Sequence, residues 1–264
     1  MRSCNDSCCG GGGSADGIIM IVTVIRHGRT QGNTERRYVG ARTDECLSAE
    51  GRAELAVFGR AEEVFGCIEA VSNGKNVPEA EPCAGKVLIV TSPMKRAIET
   101  AEIMFPWGTD RMTVDELRET DFGIFEGKTY EELSNDPERR DAYQAWIDSG
   151  GLAKIPGGES MEEARARSVE GFRKAVMAAF REWKAGRRDA VTEGGSGDAA
   201  KECTLIIVAH GGTVMSVMSS LFGGDYYDYY AGNGEGYTFR LEVDDAGDIT
   251  AAGTYDRFCG RVCA

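Results

Sequence analysis

The sequence predicts an α/β fold, a three-layer α/β/α sandwich around a mainly parallel sheet. Three stretches carry that expectation: residues 21–25 (Ile-Val-Thr-Val-Ile), 86–91 (Lys-Val-Leu-Ile-Val-Thr) and 203–209 (Cys-Thr-Leu-Ile-Ile-Val-Ala). Each is a nearly continuous run of β-forming residues without proline or glycine, as expected of a strand buried on both faces. Each leads, directly or after a polar loop, into an amphipathic helix, and that alternation is the signature of helices packed on both sides of a sheet.

The first strand runs straight into Arg26-His27-Gly28, and the polar residues 29–45 that follow, without clear periodicity, read as a long loop over the strand ends. Ser48 caps a helix reaching about Phe65, and residues 71–85, rich in Asn, Gly, Pro and Glu, read as a surface insertion. The strand at 86–91 is followed by Ser92-Pro93 and a helix over 94–104, which puts Arg96 in its first turn. A short strand around 112–117 delivers Arg118, Glu119, Thr120 and Asp121. Thr129-x-x-Glu132 and Ser160-x-x-Glu163 are capping boxes, each opening a helix. The second of these helices continues to about Lys184 and buries Val169, Phe172, Val176, Phe180 and Trp183 at spacings of three and four. Residues 192–201 form another polar insertion. The strand at 203–209 ends in His210-Gly211-Gly212, a helix to Phe222 follows, and residues 237–243 and 249–255 alternate as two outer strands. The aromatic run from Asp225 to Tyr230 reads as a lid or a packing corner.

Composition narrows the function. The 264 residues carry a net charge of −13, which argues against a broad nucleic-acid surface, and no apolar run is long enough to span a membrane. An acidic chain repels small anions at long range, so any anion site must be a local concentration of arginine. Residues 1–19 are expected to be a flexible Cys/Gly-rich leader, with one folded domain over 20–264. The nine cysteines are scattered and lack tight Cys-x-x-Cys pairs, so they read as reduced thiols of a cytoplasmic protein. Neither Gly-x-Gly-x-x-Gly nor a Walker-type glycine loop is present.

The protein has only two histidines, His27 and His210, and each ends a buried-looking strand and precedes a glycine. Ligands of open α/β sheets bind at the carboxyl ends of strands. Those ends supply Arg26, His27, Arg96, Glu119 and His210. Phosphoryl transfer needs a nucleophile in line with the leaving oxygen, positive charge around the other oxygens and a proton for the departing alcohol. A neutral imidazole, two guanidiniums and a carboxylic acid supply these without a metal or an organic cofactor. Plainer readings exist for each residue. In these, Arg26 only ends a strand, Arg96 pairs with Glu99 or Glu102, and Thr30 and Asn33 shape a loop, while Glu116, Asp121 and Glu126 compete with Glu119 for the acid's role.

Taken together, the motifs resemble the histidine phosphatase superfamily, which includes the cofactor-dependent phosphoglycerate mutases. The matching residues are Arg26-His27-Gly28 with Thr30 and Asn33, then Ser92-Pro93 followed by Arg96-Ala97-x-x-Thr100-Ala101, then Glu119 before Asp121-Phe122-Gly123, and His210-Gly211-Gly212. The resemblance implies a phosphoglycerate mutase-like fold with His27 as nucleophile, Glu119 as proton donor, and Arg26, Arg96 and His210 around the phosphoryl group. Gly28, Thr30, Asn33 and Gly211 are implied as substrate contacts. Residues from Gly40 to Ser48 and Pro156-Gly-Gly-Glu159-Ser160 are most similar to α-ribazole phosphatases and related small-molecule phosphatases. The expected partner is thus a small-molecule phosphate ester, with a phosphoglycerate mutase, or a phospho-ligand binding protein without turnover, as the alternatives.

Overall fold

The computed structural model describes residues 18–57, 87–192, 202–244 and 246–258. Six strands form one sheet: β1 (Ile18–Arg26), β2 (Val87–Thr91), β3 (Arg111–Thr113), β4 (Glu202–Ala209), β5 (Gly236–Val243) and β6 (Ile249–Phe258), in the order β3-β2-β4-β1-β5-β6. The four strands from β3 to β1 run parallel, and β5 and β6 are antiparallel additions at one edge. The sheet is therefore mixed and mainly parallel.

Alternation along β1 divides the core. Met20, Val22 and Val24 point to one face, where Phe172 and Val176 of α6 (Met161–Thr192) and Val214 and Val217 of α7 (Gly211–Phe222) cover them. Ile21 and Ile25 point to the other, against Leu55 of α2 (Ala49–Ala56) and Ala97, Ala101 and Met104 of α3 (Lys95–Met104). These are the outer layers of the expected sandwich. A third, smaller cluster of Phe125, Leu133, Tyr143 and Ile155 gathers α4 (Tyr130–Asn135) and α5 (Arg140–Asp148), with Tyr38, Phe122 and Trp146 packed against it.

Several sequence expectations are revised. The presumed loop at 29–45 contains a short helix, α1 (Gln31–Thr34), because Thr30 and Asn33 close a reciprocal capping box. The strand expected over 112–117 stops at Thr113 and gives way to a 3₁₀ turn, Asp115–Leu117, which turns Val114 and Leu117 into the core beside Phe172. The helix opened by Ser160 runs beyond Lys184 to Thr192. The boxes at Thr129 and Ser160 form as read, each serine or threonine hydroxyl accepting from the glutamate amide three residues on. β1 begins at Ile18, so two residues assigned to the leader belong to the sheet, while residues 1–17 lie outside the described residues. The continuation of α2 towards Phe65 and the insertion at 71–85 also lie outside them. Neither Cys46 nor Cys203 is in a disulfide, and the other seven cysteines lie outside the described residues. Among the described residues, no helix is long and apolar enough to cross a membrane.

Candidate active site

Parallel pairing sets Arg26 opposite Ala209, so β1 and β4 end level and deliver His27 and His210 side by side. The pairing continues one residue further, with the His27 amide donating to the Ala209 carbonyl at 2.9 Å. The two imidazoles meet edge to face, centroids 5.2 Å apart, and both are buried.

The protonation of His27 follows from its surroundings. Its Nδ1 lies 2.7 Å from the Gly28 carbonyl, which can only accept, so Nδ1 carries the ring proton and Nε2 keeps the lone pair. Burial, and then the charges of Arg96 and Arg26, hold its pKa well below 6.5, so the ring is neutral at physiological pH. His210 is depressed by burial first and Arg96 second. Its Nε2 lies 2.8 Å from Ser92 Oγ, which already accepts the Met94 amide, so the serine proton is free to go to Nε2. That bond leaves the His210 proton on Nδ1, which has no hydrogen-bond partner and stands 3.8 Å from Glu119 Oε2.

Glu119 follows the 3₁₀ turn, its Oε1 accepting the Thr120 amide at 2.9 Å. Burial raises its pKa, against the lowering effect of the Thr120 amide and of Arg96, Arg26 and Arg167. A carboxyl so placed holds its proton to a higher pH than an exposed glutamate. Arg96, in the first turn of α3, does not pair with Glu99 or Glu102. Its Nη atoms donate to the carbonyls of Thr43 and Gly40, while Glu99 pairs with Arg52. Arg26 donates to the Ala231 carbonyl at 3.0 Å and lies over the Tyr230 ring. The Nε atoms of Arg26 and Arg96 are buried without a partner, as is His210 Nδ1. Three buried donors left unsatisfied at one spot, beside the N-terminus of a 12-residue helix, describe an anion site.

The remaining expected contacts divide. Gly211 opens α7 against the Arg26 guanidinium, where a Cβ would lie 3.5 Å from Nε. Gly28 gives its amide to Thr100 Oγ1 and packs so tightly that a Cβ would reach Leu55 Cδ1 at 2.5 Å. Thr30 and Asn33 spend hydrogen bonds on their capping box, and Asn33 Oδ1 also accepts from Asn233, whose amide reaches the His27 and Gly28 carbonyls. In this arrangement Gly28, Thr30 and Asn33 shape the backbone that carries His27. Thr100, Ser92 and Asn233 were not singled out for the site. The first two lie inside the quoted motif, whereas nothing local to Asn233 signals its place.

His27, Glu119 and His210 offer ligand atoms within 4.8 Å of one another, a donor set compatible with a metal ion. The guanidiniums that depress both imidazoles would repel a divalent cation and attract an anion. Arg26, Glu119, Gly211 and Gly212 also line a cavity of about 240 Å³ whose other walls include Tyr38, Phe122, Trp146, Tyr226, Tyr227 and Tyr230. The run from Asp225 to Tyr230, given no chemistry from the sequence, thus forms a wall of the site as a capped 3₁₀ turn, Tyr226–Tyr229.

The sequence model of the histidine phosphatase superfamily (branch 1) matches residues 83–238, a segment holding Arg96, Glu119 and His210. Proteins described as probable phosphoglycerate mutase GpmB, from Salmonella paratyphi C and Salmonella newport, are 32% identical over 149 residues, covering 55% of this chain and 58% of their own length. The chain thus spans under two thirds of these curated relatives. Among solved structures, the α-ribazole phosphatase from Shigella flexneri superposes with a TM-score of 0.60 at 18% identity, covering 88% of this chain and 95% of its own. YhfR of Bacillus stearothermophilus does so with a TM-score of 0.58 at 23% identity over 88% and 95% of the two chains. These structural likenesses concern the fold.

Proposed function

The chain belongs to the histidine phosphatase superfamily, and on that footing we propose that it is a phosphomonoesterase acting on a small phosphorylated metabolite through a phosphohistidine. The observation that carries this reading is the pairing of a neutral His27, with its proton tied to the Gly28 carbonyl, and a carboxyl at Glu119 whose pKa is raised. One supplies electrons to phosphorus and the other a proton to the leaving oxygen. The His27 Nε2 lone pair forms the N–P bond as the P–O bond to the alcohol breaks, and the Glu119 proton passes to the departing oxygen. Glu119, now a carboxylate, takes a proton from water, which attacks phosphorus and returns His27 to its neutral form. Arg26, Arg96 and His210 Nδ1 surround the phosphoryl oxygens in both steps.

The mutase reading is favoured by one observation, the description of the curated relatives. It differs in returning the phosphoryl group to the substrate instead of to water. Acid-quenched enzyme mixed with labelled substrate should carry an acid-labile phosphate on His27, and inorganic phosphate should accumulate. Isomerised phosphoglycerate in place of free phosphate would favour the mutase, and tight phosphate binding with no turnover would favour a binding protein. A His27→Ala variant that hydrolyses p-nitrophenyl phosphate at the wild-type rate would end the nucleophile assignment. α-Ribazole 5′-phosphate belongs in the substrate panel, because the fold neighbour from Shigella flexneri is an α-ribazole phosphatase. The cytoplasm is the compartment we assign to the reaction.

A further inference from the structure

The cavity beside Glu119 has walls suited to one kind of leaving group. Tyr38, Phe122, Trp146, Tyr226, Tyr227 and Tyr230 all present surface to it, with Met161, Ala164 and Met215 between them. The rings are fixed by one another: Tyr38 meets Phe122 at 5.3 Å and Trp146 at 5.7 Å, and Tyr226 meets Tyr227 at 5.1 Å. Two are tied to backbone as well, the Tyr226 hydroxyl to the Gly212 carbonyl and the Tyr227 hydroxyl to the Gly150 carbonyl. An aromatic wall already held in place loses little freedom when a ligand enters.

The charges of the cavity exclude other leaving groups. Arg26 is the one cation among the described residues that line it, and its position beside the two histidines commits it to the phosphoryl group. The two carboxyl groups that line it are Glu119, which serves the reaction, and Glu159, which is held by Arg167. A leaving group carrying its own carboxylate would lose water there and meet Glu119 and Glu159, with no cation besides Arg26 among the described lining residues. A cationic leaving group would find rings, but it would share them with Arg26 over Tyr230 and Arg165 over Tyr226. The volume, about 240 Å³, lies below the range of roughly 300–1,000 Å³ usual for drug-sized ligands, so the group is small.

We infer that the substrate is a phosphate monoester of an uncharged alcohol bearing a flat apolar ring, and that phosphoglycerates are poor substrates. This rests on the phosphomonoesterase reading and adds the identity of the group on the far side of the scissile bond.

The test compares kcat/KM for 2-(2-naphthyl)ethyl phosphate, ethyl phosphate, 3-phosphoglycerate and phosphocholine, all esters of aliphatic alcohols. The naphthyl ester should exceed ethyl phosphate by on the order of 30-fold, the worth of burying one aromatic group, and 3-phosphoglycerate should fall below ethyl phosphate. Trp146→Ala should reduce the naphthyl-to-ethyl ratio about tenfold. Tyr230→Ala should reduce it too, and because Tyr230 is 58% exposed this variant keeps the core intact. Equal rates for all four esters, or preference for 3-phosphoglycerate or phosphocholine, would overturn this inference while the release of phosphate upheld the phosphatase. Release from none of them would remove the phosphatase reading. The cavity would then be judged by calorimetry with 2-(2-naphthyl)ethylphosphonate and ethylphosphonate, where tighter binding of the naphthyl compound supports its preference for a flat ring and equal affinity overturns it.

Discussion

The Arg167 guanidinium meets the Glu159 carboxylate side-on, Nε to Oε1 and Nη2 to Oε2, each at 2.7 Å. The same guanidinium donates to the carbonyls of Glu116, Arg118 and Glu119, and Glu159 in turn accepts the Asp121 amide. The segment bearing Glu119 is therefore tied to α6 by a planar fork, alongside the Lys174–Glu116 ion pair and the packing of Leu117 on Phe172. Burial alone would raise the Glu159 pKa, yet the bonds from Arg167 and Asp121 hold it below the ordinary glutamate value. Arg167→Lys keeps the charge and loses the fork. It should lower kcat on alkyl phosphates by on the order of 100-fold, the scale of a misplacement of about 1 Å, with KM little changed. Steady-state kinetics at pH 7 decide this, and an unchanged kcat would show that Glu119 is held by other means.

On the proposed mechanism, replacing Glu119 separates the two half-reactions. Glu119→Gln cannot protonate an alkoxide, so kcat on an alkyl phosphate should fall by about 10²- to 10⁴-fold. p-Nitrophenolate leaves without a proton, so with p-nitrophenyl phosphate the variant should give a burst of one equivalent and then a slow phase, because the base for the second step is missing. Rapid-quench measurement reads both phases, and a wild-type steady-state rate on the alkyl ester would exclude Glu119 from the role.

Stability should depend on pH through the two histidines. Burial and then arginine charge depress both rings in the folded state, while in the unfolded chain they titrate near 6.5. Below that pH the unfolded state binds protons that the folded state refuses, so stability falls as the pH falls, by up to about 1.4 kcal/mol per pH unit for each ring. Glu119 acts in the opposite sense. Its raised pKa contributes stability below about 4.5 that is lost as the pH climbs through the folded value. Urea denaturation between pH 5 and 7.5 should show the histidine slope, and Asn at both positions should flatten it. An equal slope in that double variant would place the dependence elsewhere.

Gly40 marks where the loop before α2 crosses the segment of Glu119 and Thr120. Its amide donates to Glu126, its carbonyl accepts from Arg96, and a Cβ would collide with the Thr120 carbonyl. Gly40→Ala should cost about 1–3 kcal/mol of stability, as overpacking does, and lower kcat by displacing Glu119 and Arg96 together. Melting curves and kinetics on one preparation test the pair, and a variant with normal stability and activity would mean that the loop shifts freely.

What was legible in the sequence is what one segment decides by itself. The strands at 21–25, 86–91 and 203–209 announce themselves because burial on both faces leaves no polar alternation, and the capping boxes at Thr129 and Ser160 are local hydrogen-bond patterns. His27, Arg96 and His210 lie beside such segments, so their convergence followed from where strands end, whereas Glu119 comes after a 3₁₀ turn that reads in the sequence as the end of a strand. Partners chosen by tertiary contact stayed hidden. Asn233 reaches the His27 carbonyl across 206 positions, and Arg167, in a helix full of charged residues, looks like any solvated arginine until Glu159 is beside it. The rings from Tyr226 to Tyr230 were visible as a run, but only the neighbouring Tyr38, Phe122 and Trp146, drawn from distant stretches, make them a wall.

The level ending of β1 and β4 limits how this chain can vary in length. One residue gained or lost within either strand would turn its histidine to the opposite face of the sheet and part it from its twin. Loops bear no such parity. Insertions and deletions accumulated over descent should therefore fall in the connections and spare both histidine-bearing strands, and a designer who lengthens a connecting loop should keep the active site where one who adds a single residue to β1 destroys it.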